Sequence, residues 1–170
     1  MTKGKSFFIF LCFMLSMFLT GGRSLAQSSI NKKAEGNINV ADFKEVIPSS
    51  DRFEAVKQDK DILYYKSYNK DGKLIGVVFT AKAKGCFGDP IETLAAMSLE
   101  GEIIAIKVIK QNETPGIGAR INEELFAEKF KHKKINNLSQ VSAISGATVS
   151  SSAVISSVKE KAEKIQELLK

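Results

Sequence analysis

The sequence predicts an α+β fold in which an antiparallel sheet is packed with helices, and three observations carry that prediction. From Ile62 onward, short apolar stretches alternate with Gly-containing turns, as hairpins do. After Ile109, apolar residues recur at helical spacing, first in Ile121, Leu125, Phe126 and Phe130, then in Val154, Val158, Ala162, Ile165 and Leu169. With 44% apolar residues in a chain of 170, there is material for one core and no sign of a disordered, collagenous or repeat protein.

Residues 1–26 stand apart from that domain. Lys3 and Lys5 precede an apolar run from Phe7 to Leu19, followed by Thr20-Gly21-Gly22-Arg23 and the small-residue triplet Ser24-Leu25-Ala26. This is the layout of a secretory signal, with cleavage expected before Gln27. The competing reading is a retained membrane anchor. Thirteen residues rise only about 20 Å as a helix, short of a bilayer core of about 30 Å. Both readings place the folded part outside the cytoplasmic membrane. Cys12 has Ile9 three residues before it, unlike a lipoprotein signal, and reads as a filler.

The segment holds three cations and no acid, so the formal charge of +6 falls to +3 without it. The remaining Lys residues are mixed with Glu, as in Lys159 to Lys164, which suits a solvated helix face. A nucleic-acid partner is not expected. Cys86 is the one cysteine left, so neither an internal disulfide nor a cysteine metal site can be built. It too reads as a small filler.

Residues 27–59 are expected as a linker with short helices, and residues 60–170 as the domain. Asn31 to Gly36 is polar. Val40 to Ile47 is a helix candidate stopped by Pro48, and Ser49-Ser50-Asp51 can cap a second helical turn carrying Phe53 and Val56. Leu63 and Tyr65, then Leu74 to Phe79, read as strands joined by Asn69-Lys70-Asp71-Gly72. Tyr64, Tyr65 and Tyr68 suit strand pairing. Glu92 to Ser98 and Ile103 to Ile109 follow as two more strands around Glu100-Gly101. Two loops, Lys84 to Pro90 and Glu113 to Ala119, combine Pro with Gly and are expected at one end of the sheet. The second leads into the helical pattern of Ile121 to Phe130, with Glu123 and Glu124 in its first turn.

The last helix is expected over Val149 to Leu169, starting among Ser145 to Ser150. A helix start leaves about four unpaired N–H groups and about half a positive charge, which suits a phosphate. Gly146 and Ala147 keep side chains out of the way, while Ser150 to Ser152 offer further donors. Ordinary capping explains a Ser-rich first turn equally well.

Ser145-Gly146-Ala147-Thr148-Val149-Ser150, preceded by Glu113-Thr114-Pro115-Gly116-Ile117-Gly118 and Phe130, resembles the FMN-binding domain family. That family includes the G subunit of Rnf ion-translocating complexes and the C subunit of the sodium-translocating NADH:quinone oxidoreductase. The resemblance covers roughly residues 60 to 160. It implies FMN held through a phosphoester bond on Thr148, attached outside the membrane by an FAD:protein FMN transferase that uses magnesium. Thr148 is then the nucleophile towards FAD, with AMP leaving. Val149, Ser150 and Ser151 would offer N–H groups to the phosphodiester beside Ser145, Gly146 and Ala147. The isoalloxazine ring would lie along Glu113 to Gly118, with Glu113, Thr114 and Gly116 against it, and Phe87 stands where the family has an aromatic residue. In the family pattern an Asp precedes the modified Thr by six residues; here that position is Ser142.

No general acid–base pair suggests turnover of a substrate by this chain alone, and the flavin itself performs the redox step. An electron-transfer subunit or carrier working with redox partner proteins is therefore expected. Covalent attachment suits a compartment where free FMN is scarce, because a noncovalent cofactor is lost by mass action. The alternative that Ser142 keeps open is a non-redox anion or ligand-binding module of the same fold, without flavin. His132 has no second histidine to share a metal and reads as a surface residue, and no serine has a His partner for hydrolysis.

Overall fold

The computed structural model describes residues 39–86 and 88–170; the expected signal or anchor segment, the polar stretch Asn31–Gly36 and Phe87 lie outside them. The first element among the described residues is helix α1 (Val40–Val46), opened by a reciprocal capping box between Asn39 and Asp42. Five strands follow: β1 (Arg52–Gln58), β2 (Asp61–Tyr68), β3 (Leu74–Lys84), β4 (Pro90–Met97) and β5 (Ile103–Lys110). They pair in sequence order, each antiparallel to the next. The expected antiparallel sheet is thus present, as a meander of neighbouring hairpins. In the β2–β3 turn, Asn69 Oδ1 accepts from Asp71 N at 3.1 Å and Lys73 N at 2.8 Å, so the asparagine supplies the turn chemistry.

One expectation fails here. Asp51 to Val56 is not a second helical turn but leads into and forms β1, which pairs with β2 from Arg52↔Tyr68 to Gln58↔Asp61. The spacing of Phe53 and Val56 fits a helical turn locally, but Phe53 is buried against Phe43, ring centroids 5.0 Å apart, and the strand's backbone is satisfied by the ladder with β2. Ser50 Oγ donates back to the Ile47 carbonyl at 2.7 Å instead of capping a following turn.

Both faces of the sheet are covered, which is why the centre of β3 reads as a continuous apolar run rather than an alternation. One face packs α1, with Phe43, Val46 and Ile47 against Val78, Leu94 and Ala96. Lys107 of β5 holds α1 in place through Asp42 Oδ1 at 2.9 Å and Glu45 Oε2 at 2.7 Å. The other face carries the long helix α3 (Thr148–Leu168). Val154, Val158, Ala162 and Ile165 are at most 1% exposed, and each of the larger ones contributes on the order of 1.5–3 kcal/mol by burial.

Between β5 and α3 the helical pattern is real but divided. A 3-10 turn (Gly118–Asn122) is followed by a short α2 (Glu124–Glu128), because Glu123 between them is extended at φ −65°, ψ 137°. Ile121, Phe126 and Phe130 still face the core, the two phenylalanines edge to face at 5.3 Å. A second 3-10 turn (Ile135–Gln140) completes that layer. Among the described residues no helix is long and apolar enough to cross a membrane.

Candidate functional site

The fold brings three separate segments to one end of the sheet: the turn after β3, the loop after β5 and the start of α3. The last two are entered by the same device. In Thr114-Pro115-Gly116-Ile117 the Ile117 N–H donates to the Thr114 carbonyl at 3.1 Å, with Gly116 at φ 73°. In Ile144-Ser145-Gly146-Ala147 the Ala147 N–H donates to the Ile144 carbonyl at 2.9 Å, with Gly146 at φ 82°. Glycine at the third turn position accepts the positive φ that a side chain resists.

At the start of α3 no side chain caps the helix. Ser150 and Ser151 are buried, and each hydroxyl is used elsewhere. Ser151 Oγ accepts from the Ile144 N–H at 3.1 Å, and Ser150 Oγ donates to Glu113 Oε2 in a short hydrogen bond. Ser151 N–H reaches the Ala147 carbonyl at 2.9 Å, but the N–H groups of Thr148, Val149 and Ser150 find no acceptor among the described residues. Capping, the ordinary explanation of a Ser-rich helix start, therefore does not apply. Three open donors and the positive end of a helix of 21 residues lie beside the exposed Thr148.

These donors border an open cleft of about 400 Å³, lined by Cys86, Glu113, Thr114, Ile117, Gly118 and residues 146–150. That volume is within the range of small-molecule sites, about 300–1,000 Å³. Its rim is apolar where Ile117 and Val149 stand 56% and 66% exposed. The donor set fits an FMN molecule: open N–H groups for the phosphate, and an apolar rim for a flat ring.

Glu113 lines the cleft as a buried residue, whereas Cys86 is not the filler that the sequence suggests. Glu113 is buried, its carboxylate turned inward to accept from Ser150 and, at 2.9 Å, from the Cys86 backbone N–H. Burial pushes its pKa up, but the hydrogen bonds from Ser150 and Cys86 outweigh this and hold it below the usual carboxylate value. Gly118 and Gly85 leave room for this carboxylate: a Cβ on Gly118 would lie 2.7 Å from Glu113 Oε2, and one on Gly85 would collide with Oε1. Cys86 is exposed, not a buried filler, and its sulfur lies 3.6 Å from Ser150 Oγ.

Two basic residues that sequence reading passed over hold the loop before α3. Arg120 donates to the Ser145 carbonyl at 3.0 Å while paired with Glu123. Lys129 Nζ donates to the carbonyl and hydroxyl of Ser142 at 3.0 and 3.2 Å. Their positions in the helical segment, facing a loop across the fold, carry no local sequence signal. His132 sits exposed in a surface turn against Glu102. Among the described residues no His, Cys, Asp or Glu cluster could hold a metal ion.

The profile of the FMN-binding domain family matches residues 87–163. Over 132 residues the chain is 33% identical to the G subunit of the proton-translocating ferredoxin:NAD(+) oxidoreductase complex of Clostridium ljungdahlii, covering 72% of this chain and 69% of that protein. It is 36% identical over 127 residues to the G subunit of the ion-translocating oxidoreductase complex of Methanosarcina acetivorans, 66% and 67% of the two chains. Among solved structures, the C subunit of the Na(+)-translocating NADH-quinone reductase of Parabacteroides distasonis shares the fold. Its TM-score is 0.54 at 20% identity, over 76% of this chain and 85% of that one. NqrC of Shewanella oneidensis is similar in fold at TM-score 0.51 and 21% identity, over 75% and 70%. By its kinship with these G subunits, the chain belongs to the FMN-binding domain family.

Proposed function

We propose that this protein is an extracytoplasmic electron carrier with FMN bound covalently to Thr148, acting as a subunit of an Rnf-type complex or as a freestanding carrier. The observation that carries this reading is the uncapped start of α3, where an exposed threonine stands beside three unpaired N–H groups at the mouth of a cleft. In maturation, Thr148 Oγ bonds to the flavin-side phosphorus of FAD as the pyrophosphate bond breaks. AMP departs, and the threonine proton passes to the transferase. The remaining phosphodiester carries one negative charge, and the N–H groups of Thr148, Val149 and Ser150 stabilise it together with the helix dipole.

When bound, the flavin supplies the redox chemistry. The chain's part would be to hold the phosphate at the helix start and the ring in the cleft lined by the 114–118 loop and the first turn of α3. Ile117 and Val149, exposed at the rim, would offer the ring apolar contact, and the open cleft would leave it accessible to redox partners. The relatives' names point to an ion-translocating oxidoreductase complex as the setting, and the charged and apolar layout of residues 1–26 supports export or anchoring.

The test is intact mass. The full chain is co-produced with an FAD:protein FMN transferase beside Thr148→Ala. Wild type should gain one FMN and stay fluorescent after denaturation, and the variant should gain none. An unmodified wild type beside a modified control protein would refute the attachment and favour the non-redox, ligand-binding reading.

A further inference from the structure

Glu113 is the one buried carboxylate among the described residues, and no Lys, Arg or His pairs with it. A buried charge without a cation costs stability unless polar groups meet it. Here they come from two other walls of the cleft: the Cys86 N–H in the turn after β3, and the Ser150 hydroxyl in the first turn of α3. Ser150 is itself 1% exposed and two residues beyond Thr148. The glycines at 85 and 118 are packed so closely on the carboxylate that neither admits a side chain without displacing it. This arrangement preserves a negative charge at the floor of the cleft, where a neutral glutamine would fill the same space.

We propose that Glu113 is the positioning residue of the flavin site, clasping the three walls into one cleft and, by its fixed charge, lowering the flavin's reduction potential. The proposal rests on the flavin reading above. Electron uptake adds negative charge to the ring, and a carboxylate that is itself buried in the cleft wall would oppose it with less screening than water gives. Glu113 is joined to the first turn of α3 through Ser150, so the helix dipole that would hold the phosphodiester also favours this carboxylate.

The test uses full-length, flavinylated protein: wild type, Glu113→Gln, Glu113→Asp and Ser150→Ala. Each is weighed intact, then titrated with dithionite in the presence of redox mediators. Glu113→Gln should move the midpoint to a more positive value, Glu113→Asp should stay near wild type, and Ser150→Ala, which breaks the clasp but keeps the charge, should move it less than Gln. A Gln variant that folds but takes up no FMN, beside a modified Asp variant, would support the positioning role through attachment. A Gln midpoint equal to wild type overturns the proposal, as does an equal shift in Ser150→Ala, or loss of folded protein in both Glu113 variants. An unmodified wild type overturns the flavin reading and this proposal with it, and the mass alone identifies that case.

Discussion

Gly118→Ala gives a direct measure of how tightly the cleft is built. Gly118 does not use a positive φ, so its backbone accepts alanine and the cost comes from space alone. The new methyl would stand 2.7 Å from Glu113 Oε2, 2.8 Å from Ser150 Oγ and 2.9 Å from Glu113 Cβ, so the carboxylate and the hydroxyl cannot stay where they are. Overpacking of this kind costs about 1–3 kcal/mol. Losing a buried hydrogen bond to a charged group adds about 1.5–3 kcal/mol. A total of about 2.5–6 kcal/mol follows, which at about 2–4 °C per kcal/mol lowers Tm by at least about 5 °C. Urea unfolding of wild type, Gly118→Ala, Glu113→Ala and the double variant measures it. With Glu113 truncated, the oxygen is gone and Ser150 is free to turn, so the same glycine substitution should cost about 1–3 kcal/mol less. Equal costs in the two backgrounds, or a cost under about 0.5 kcal/mol in the wild-type background, would refute the close packing inferred for Gly118.

Two further perturbations separate the layers of the fold. Lys107→Met removes the pairing of β5 with α1 and should cost about 0.5–1 kcal/mol in urea unfolding at neutral pH. The backbone N–H of Asn39 and then Lys107 hold the Asp42 carboxyl below its ordinary value, while Glu45 and then Asp42 hold the Lys107 ammonium above its own. The difference between wild type and variant should therefore persist across the neutral range. It should close as pH falls through the depressed Asp42 value or rises through the elevated Lys107 value; a difference that vanishes between pH 6 and 8 would count against the pairing. Ser142→Asp sets a carboxylate against Lys129 Nζ, which already reaches Ser142, and restores the residue of the family pattern. The FMN-modified fraction in intact mass should rise above that of wild type under limiting transferase, and an unchanged fraction would show that the serine is no obstacle.

How much of this was legible depends on the range of the physics involved. The hairpins of β2 through β5 were readable because alternation and turn chemistry are local: Asn69 makes its turn with residues two and four positions away. The α3 stripe was readable for the same reason. β1 was not, since Phe53 and Val56 fit one helical turn as well as a strand, and the choice is made by pairing with β2. The helix expected through Phe130 has the right buried residues, yet Leu125 is 75% exposed and the chain extends at Glu123, a break that the apolar spacing does not encode.

At the cleft the distinction is sharper. The sequence offers hydroxyls at the start of α3, and both capping and anion binding draw on the same residues. Whether these hydroxyls cap the helix is decided by partners far along the chain: Ser150 is claimed by Glu113, 37 positions away, and Glu113 in turn by Cys86, 27 positions away. Once Ser150 and Ser151 are turned inward, neither caps the helix start, and its first backbone N–H groups stay open beside Thr148. Backbone donors do not vary with side-chain chemistry, so a Ser150→Ala change leaves them all in place while loosening the wall behind them. Ser150 and Ser151 thus serve the cleft from behind, by fixing the turn that holds Thr148, and Thr148 stands exposed beside the three open donors.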